Sequence, residues 1–206
     1  MVTVPTEEVQ VLPQGGAVDA APDPIIEIVI DLLDTQGYDA VQLREVAKRA
    51  RVSLSTIYKR YATRDELIAS ALQWWMDTNR YAGLTPPVEV TSGASLYAAM
   101  MHVLRTIFEP WEQHPEMLRS YMRARSGPGG SRLVQRGIDA VVPVVRSLLA
   151  DVDPGFAKDL ELIMTGVVFG FLGRFANGEI EVTEIVPGLE RAVYWLTAAY
   201  DSRVVG

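Results

Sequence analysis

From Pro24 onward the apolar residues of this chain recur, segment after segment, at the three- and four-residue spacing of a helix face. No run of useful length alternates as a half-buried strand would, and no internal repeat is found. The periodicity therefore predicts an all-α fold. Asp23 and Pro24 supply an N-cap and a first-turn proline, and "PIIEIVIDLLDTQ" places Ile26, Val29, Ile30 and Leu33 on one face before Gly37 ends it. "QLREVAKRA" (42–50) follows, with Leu43, Val46, Ala47 and Ala50 on one side, then "RVS", then "LSTIYKRY" (54–61) capped by Ser53. Thr63 and Glu66 have the spacing of a capping box and open a long helix through Ala82. After a break rich in Pro, Gly, Ser and Thr at 83–93, helices are expected at about 94–113, 115–126, 130–150, 155–177 and 183–200. A length of 206 residues suits a small domain joined to a larger one.

Charge is distributed unevenly along this acidic chain of net −7. Between residues 41 and 64 stand seven cations (Arg44, Lys48, Arg49, Arg51, Lys59, Arg60, Arg64) against one acid, Glu45, a local +6. The rest of the chain carries 12 cations and 25 acids, or −13. A solvated helix face would account for a cluster of charge. The pattern inside it points instead to a polyanion.

Two short helices joined by a three-residue turn have the form of a helix-turn-helix, whose second helix enters the major groove while the first crosses the backbone. Here the second helix opens with small hydroxyls. Ser53, Ser55 and Thr56 suit phosphate oxygens, and the Thr56 methyl suits a thymine. Tyr58, Lys59 and Arg60 follow with donors for phosphates or base edges. Arg64, in the first turn of the next helix, is expected at a phosphate, and Gln42 and Arg44 at the neighbouring backbone.

The stretch "GYDAVQLREVAKRARVSLSTIYKRYATRDELI" resembles the DNA-binding domain of the TetR family of bacterial transcriptional regulators. The resemblance rests on the Gly-Tyr lead-in, Arg-Glu-Val-Ala (44–47), Val-Ser at the turn, Thr-Ile-Tyr (56–58), Tyr61 and Arg-Asp-Glu-Leu (64–67). Arg51 stands where the family often has glycine, and Arg60-Tyr61-Ala62 replaces the usual Tyr-Phe-Pro. The resemblance implies a three-helix DNA-binding domain at 23–70 and a helical ligand-binding and dimerisation domain at 71–206. Residues 1–22, rich in Pro, Gly and Ala, are expected to form a disordered tail.

In the larger domain, Met101, Leu104, Phe108, Trp111, Met117, Tyr121, Met122, Met164 and Phe169 are candidates for lining an apolar effector site, since Met and aromatic side chains adapt to irregular cavities. Ordinary core packing is the competing reading of each. Arg105, Arg119, Arg123 and Arg125 lie near these faces and would suit a carboxylate or acyl-CoA effector; surface pairing with acids is the alternative. The helix order is similar to that of actinobacterial regulators of steroid and lipid catabolism, some of which respond to CoA thioesters. "GVVFGFLG" sets Gly166, Gly170 and Gly173 among apolar residues. Helices 155–177 and 183–200 are expected to form a four-helix dimer bundle through Val167, Val168, Phe171, Phe175, Val193, Leu196 and Ala199; a monomer core is the alternative.

The remaining chemistry is sparse. Cysteine is absent, which removes disulfides and thiolate chemistry, and the two histidines, His102 and His114, lack partners at zinc-ligand spacing. "GPGGS" (127–131) lacks the lysine of a phosphate loop. The longest apolar run, 162–173, falls short of the roughly 20 residues a membrane span needs, and the N-terminus lacks the cations and apolar core of a signal peptide. The expectation is a cytoplasmic, ligand-responsive homodimeric repressor on a palindromic operator, with no enzymatic activity, cofactor or metal. An activator or ligand-free DNA binder remains open, as does a helical small-molecule-binding protein with a vestigial DNA-binding domain.

Overall fold

The computed structural model describes residues 23–84 and 95–204. The expected tail at 1–22 and most of the expected break at 83–93 lie outside the described residues. Every regular element among the described residues is helical. Asp23 caps α1 (Pro24–Gln36) by accepting from the Ile25 N–H at 3.0 Å, and Gly37 ends it at φ 78°. A single 3₁₀ turn, Tyr38–Ala40, leads to α2 (Leu43–Ala50), α3 (Leu54–Arg60) and α4 (Arg64–Met76). Val29, Leu33, Val46, Ile57, Leu67 and Ile68 show no exposed surface, and they come from all four helices. Helices this short hold their shape through that shared burial rather than through propensity.

Two local details differ from the sequence pattern. Thr63 accepts from the Glu66 N–H at 3.0 Å as expected, but the Glu66 carboxylate accepts from Ala62, not from Thr63. The long helix also changes character after Met76, where Asp77–Tyr81 winds as a π-helix. Thr78 donates its hydroxyl to the Trp74 carbonyl at 3.0 Å, and Asn79 its amide to the Trp75 carbonyl at 2.9 Å. Side chains thus occupy acceptors that the backbone would have used, which favours the wider turn.

The remaining helices are α5 (Leu96–Gln113), α6 (Pro115–Arg125), α7 (Gly130–Leu148), α8 (Pro154–Ala176) and α9 (Ile185–Val204). The last is preceded by a 3₁₀ turn, Val182–Glu184, fixed by reciprocal bonds between Glu181 and Glu184. α5 lies mainly along α9, which also packs on α8. There the Phe171 ring occupies the place that a Cβ on Gly188 would need, so ring meets bare backbone. α6 reaches both halves, touching α1 and α4 on one side and α5, α7 and α8 on the other. Among the described residues no helix is long and apolar enough to cross a membrane, and no group of three or more His, Asp or Glu gathers as a metal site would require.

Candidate nucleic-acid interface

The turn between α2 and α3 is built around Arg51, which adopts the left-handed conformation at φ 54°, ψ 39°. Its N–H bonds back to Lys48, and the Val52 N–H reaches the Ala47 carbonyl at 3.0 Å, closing the helix in the manner of a Schellman motif. Ile57 then anchors α3 from beneath, and the opposite side faces solvent. Ser53 accepts from the Thr56 N–H at 3.1 Å, and its hydroxyl meets those of Ser55 at 2.7 Å and Thr56 at 2.9 Å. Tyr58 is 56% exposed, and Lys59 and Arg60 are exposed beside it.

The seven cations of this segment separate into two groups. Arg49 pairs with Glu45 and Asp31, and Arg60 with Asp23. Arg64 turns inward: it donates to the Tyr38 and Val41 carbonyls and lies 4.7 Å from the Tyr38 ring centre. Arg44, Lys48, Arg51 and Lys59 make no ion pair among the described residues. Arg44 and Lys48 stand at i and i+4 on one face of α2, and Arg51 follows in the turn. That spacing would have marked Lys48 as a candidate from the sequence. Gln42 caps nothing; its amide donates to the Asp39 carbonyl at 2.9 Å, and both it and Arg44 are exposed.

Behind this surface, Tyr38 joins the helix-turn-helix to α6. The guanidinium groups of Arg64 and Arg123 lie 4.7 and 4.5 Å from its ring centre, and its hydroxyl donates to Asp65 at 2.8 Å. Burial, followed by the Asp65 bond, raises the phenol above its ordinary pKa and keeps it protonated. Arg123 also donates to Asp39 at 2.6 Å, a bond that lowers the Asp39 carboxyl. His114 and Asp34 meet at 2.8 Å.

The expected effector-lining residues are distributed unevenly. Met101, Phe108, Trp111, Met117 and Met164 are buried, and Leu104, Tyr121 and Met122 partly so. Phe169 is 47% exposed on α8, with the Arg125 guanidinium 4.9 Å from its ring; it lies on the outside, because its position on α8 faces away from α9. A polar cleft of about 350 Å³ is lined by Asn79, Arg105, Thr106, Glu109, Pro110, Gln113 and His114, and by none of those apolar candidates. Arg105 pairs with Glu109 and Glu190, and Arg119 with Glu116. Among the described residues the buried cation is Arg80, which extends the buried stripe of Leu72 and Met76 by one further turn. That four-residue spacing was the available sequence signal.

On α8 and α9 a second apolar surface is uncovered. Leu162 and Trp195 are 72% and 75% exposed, with Ile163, Phe169 and Tyr194 also outward. Val167, Val168, Phe171 and Leu196, on the same two helices, are half-buried and pack against the core. Phe175 and Val193 do not belong to the uncovered surface: both are wholly buried within their own chain, because α5, α6 and α9 already cover them.

Residues 25–71 match the family model described as bacterial regulatory proteins, tetR family, and residues 93–196 match the tetracyclin repressor-like C-terminal domain. The HTH-type transcriptional repressor KstR of Rhodococcus jostii (strain RHA1) is 29% identical over 100 residues, which are 48% of this chain and 45% of that protein. The chain thus matches less than half the length of that relative. Two solved structures of a TetR and a TetR-like transcriptional regulator from Rhodococcus sp. RHA1 share the fold at 21% identity and a TM-score of 0.57. The first match covers 84% of this chain and 92% of that one, the second 85% and 94%.

Proposed function

The chain belongs to the TetR family of bacterial transcriptional regulators, and from that premise we propose that it is an effector-released repressor binding a palindromic operator as a homodimer. The observation that carries this reading is the outward set on α2 and α3: a hydroxyl cluster, an exposed Tyr58, and the unpaired Arg44, Lys48, Arg51 and Lys59. Hydroxyls and a phenol fix register on phosphates, and cations supply affinity through counterion release. Two copies of α3 would occupy successive major grooves about 34–36 Å apart. The uncovered face of α8 and α9 is the surface for the second copy, with Val167, Phe171 and Leu196 on the same two helices. Domain limits of 23–70 for DNA binding and 71–206 for effector and dimer contacts fit this division. The repressor named among the relatives supports release, not recruitment, as the mode of action. An effector would act by favouring a spacing of the two α3 helices that no longer fits DNA.

The test is fluorescence anisotropy of the full chain on DNA from its own promoter region at two salt concentrations. Wild type is expected to bind tightly and lose affinity steeply with salt. Tyr58→Ala combined with Lys59→Ala is expected to lose roughly tenfold to a thousandfold. A folded dimer that ignores this DNA would instead be a helical binding protein with a vestigial helix-turn-helix.

A further inference from the structure

We infer that Arg80 is the anchor for a carboxylate-bearing, otherwise apolar effector in the interior of the C-terminal helices. This rests on the reading of the chain as a ligand-responsive regulator and names the class of ligand. Arg80 is only 7% exposed and pairs with no carboxylate among the described residues. Its Nε donates to the Ile107 carbonyl at 2.9 Å, while Nη1 has only the Met76 sulfur and the Tyr81 hydroxyl, each at 3.4 Å. Nη2 makes no hydrogen bond among the described residues. The guanidinium lies 4.6 Å from the Trp111 ring and 5.1 Å from that of Tyr81, so π-faces rather than a carboxylate hold the charge. Nη2 is not among the buried groups left without a partner, which leaves it open to solvent or a ligand. An unpaired cation is a poor choice for stability at a buried position, where an apolar residue of similar volume would pack better.

The surroundings select the partner. Burial is the main influence on Arg80, and it raises Tyr81, which keeps that phenol neutral; the Tyr121 ring lies 5.8 Å from Trp111, on whose face the guanidinium rests. One cation with two phenols balances a single negative charge. A carboxylate fits the flat fork of Arg in bidentate fashion. A dianionic phosphate would leave a charge unbalanced in a low-dielectric site. Met76, Phe108 and Trp111 around the guanidinium, with Trp75 4.6 Å from Trp111, require the rest of the molecule to be apolar.

The position also gives the ligand a handle on the DNA-binding helices. Arg80 belongs to the π segment that continues α4, and the other end of α4 carries Arg64, which holds the Tyr38 and Val41 carbonyls. Single-turn π segments recur at functional sites because their hydrogen-bond register is readily shifted. A carboxylate drawing Arg80 away from Ile107 would release the tie between this segment and α5.

Calorimetry on the full chain would compare hexanoate, decanoate and hexadecanoate, each against its uncharged primary amide. At least one carboxylate is expected to bind about 10- to 100-fold tighter than its amide. Arg80→Met is expected to erase that preference, and Tyr121→Phe to reduce it several-fold; the second variant carries the test if the first does not fold. Carboxylate and amide binding alike, a preference that survives Arg80→Met, or no binding by any of the acids would overturn the anchor. Operator affinity measured without ligand tests the regulator reading separately. Binding through Arg80 that leaves operator affinity unchanged would overturn the route through α4.

Discussion

Arg51 holds a conformation that costs an L-residue about 1 kcal/mol relative to glycine. Arg51→Gly is therefore expected to raise unfolding stability by about 0.5–1 kcal/mol in urea titration. If the side chain meets a phosphate, the same change flattens the salt dependence of operator binding by nearly one unit of log–log slope. A gain in stability with an unchanged slope would place Arg51 off the DNA. Ser120 offers a second test, since its hydroxyl is buried in α6 with no hydrogen-bond partner. Ser120→Ala is expected to stabilise the fold by about 1 kcal/mol, the cost of the orphaned group; a loss would mean that the hydroxyl serves an ordered water. At this scale the caps at Asp23, Ser53 and Thr63 were legible from residue type alone. The inward turn of Arg64 was not, because its acceptors are carbonyls 23 and 26 positions away.

Between elements, the contacts of Arg123 and Arg64 with the Tyr38 ring tie α6 to α4 through the lead-in to the DNA-binding helices. Asp39 contributes to that tie, and the Arg123 bond lowers its carboxyl below the ordinary 3.8. Its contribution is fully present above that value and is lost as pH falls through the lowered one. Asp39→Asn is accordingly expected to remove part of the acid destabilisation seen by circular dichroism below about pH 4. Helix order was readable because apolar spacing repeats in each segment. The π segment was not, since it depends on Thr78 and Asn79 taking carbonyls that spacing assigns to the backbone.

For the whole molecule, the face carrying Leu162, Phe169 and Trp195 is an apolar patch of the kind that marks an interaction surface. Leu162→Glu with Trp195→Glu is expected to leave a folded monomer by analytical ultracentrifugation and to weaken operator binding by about a hundredfold or more, since each half-site then binds alone. A dimer that survives both changes would assign the second copy to another surface. The sequence reading names Phe175 and Val193 for a dimer contact alongside Val167, Phe171 and Leu196, and the protomer consumes those first two for its own core. Apolar character marks both faces of such a helix, and only packing tells the inner from the outer.

Gly188 and Phe171 carry one further consequence. With the ring seated where a Cβ would stand, neither position can change by itself without loss: a methyl at 188 strikes the ring, and a smaller side chain at 171 leaves a void over bare backbone. Gly188→Ala should be rescued by Phe171→Leu, which is itself harmful alone. The two positions should therefore vary together: relatives that lack the glycine are expected to lack the phenylalanine too.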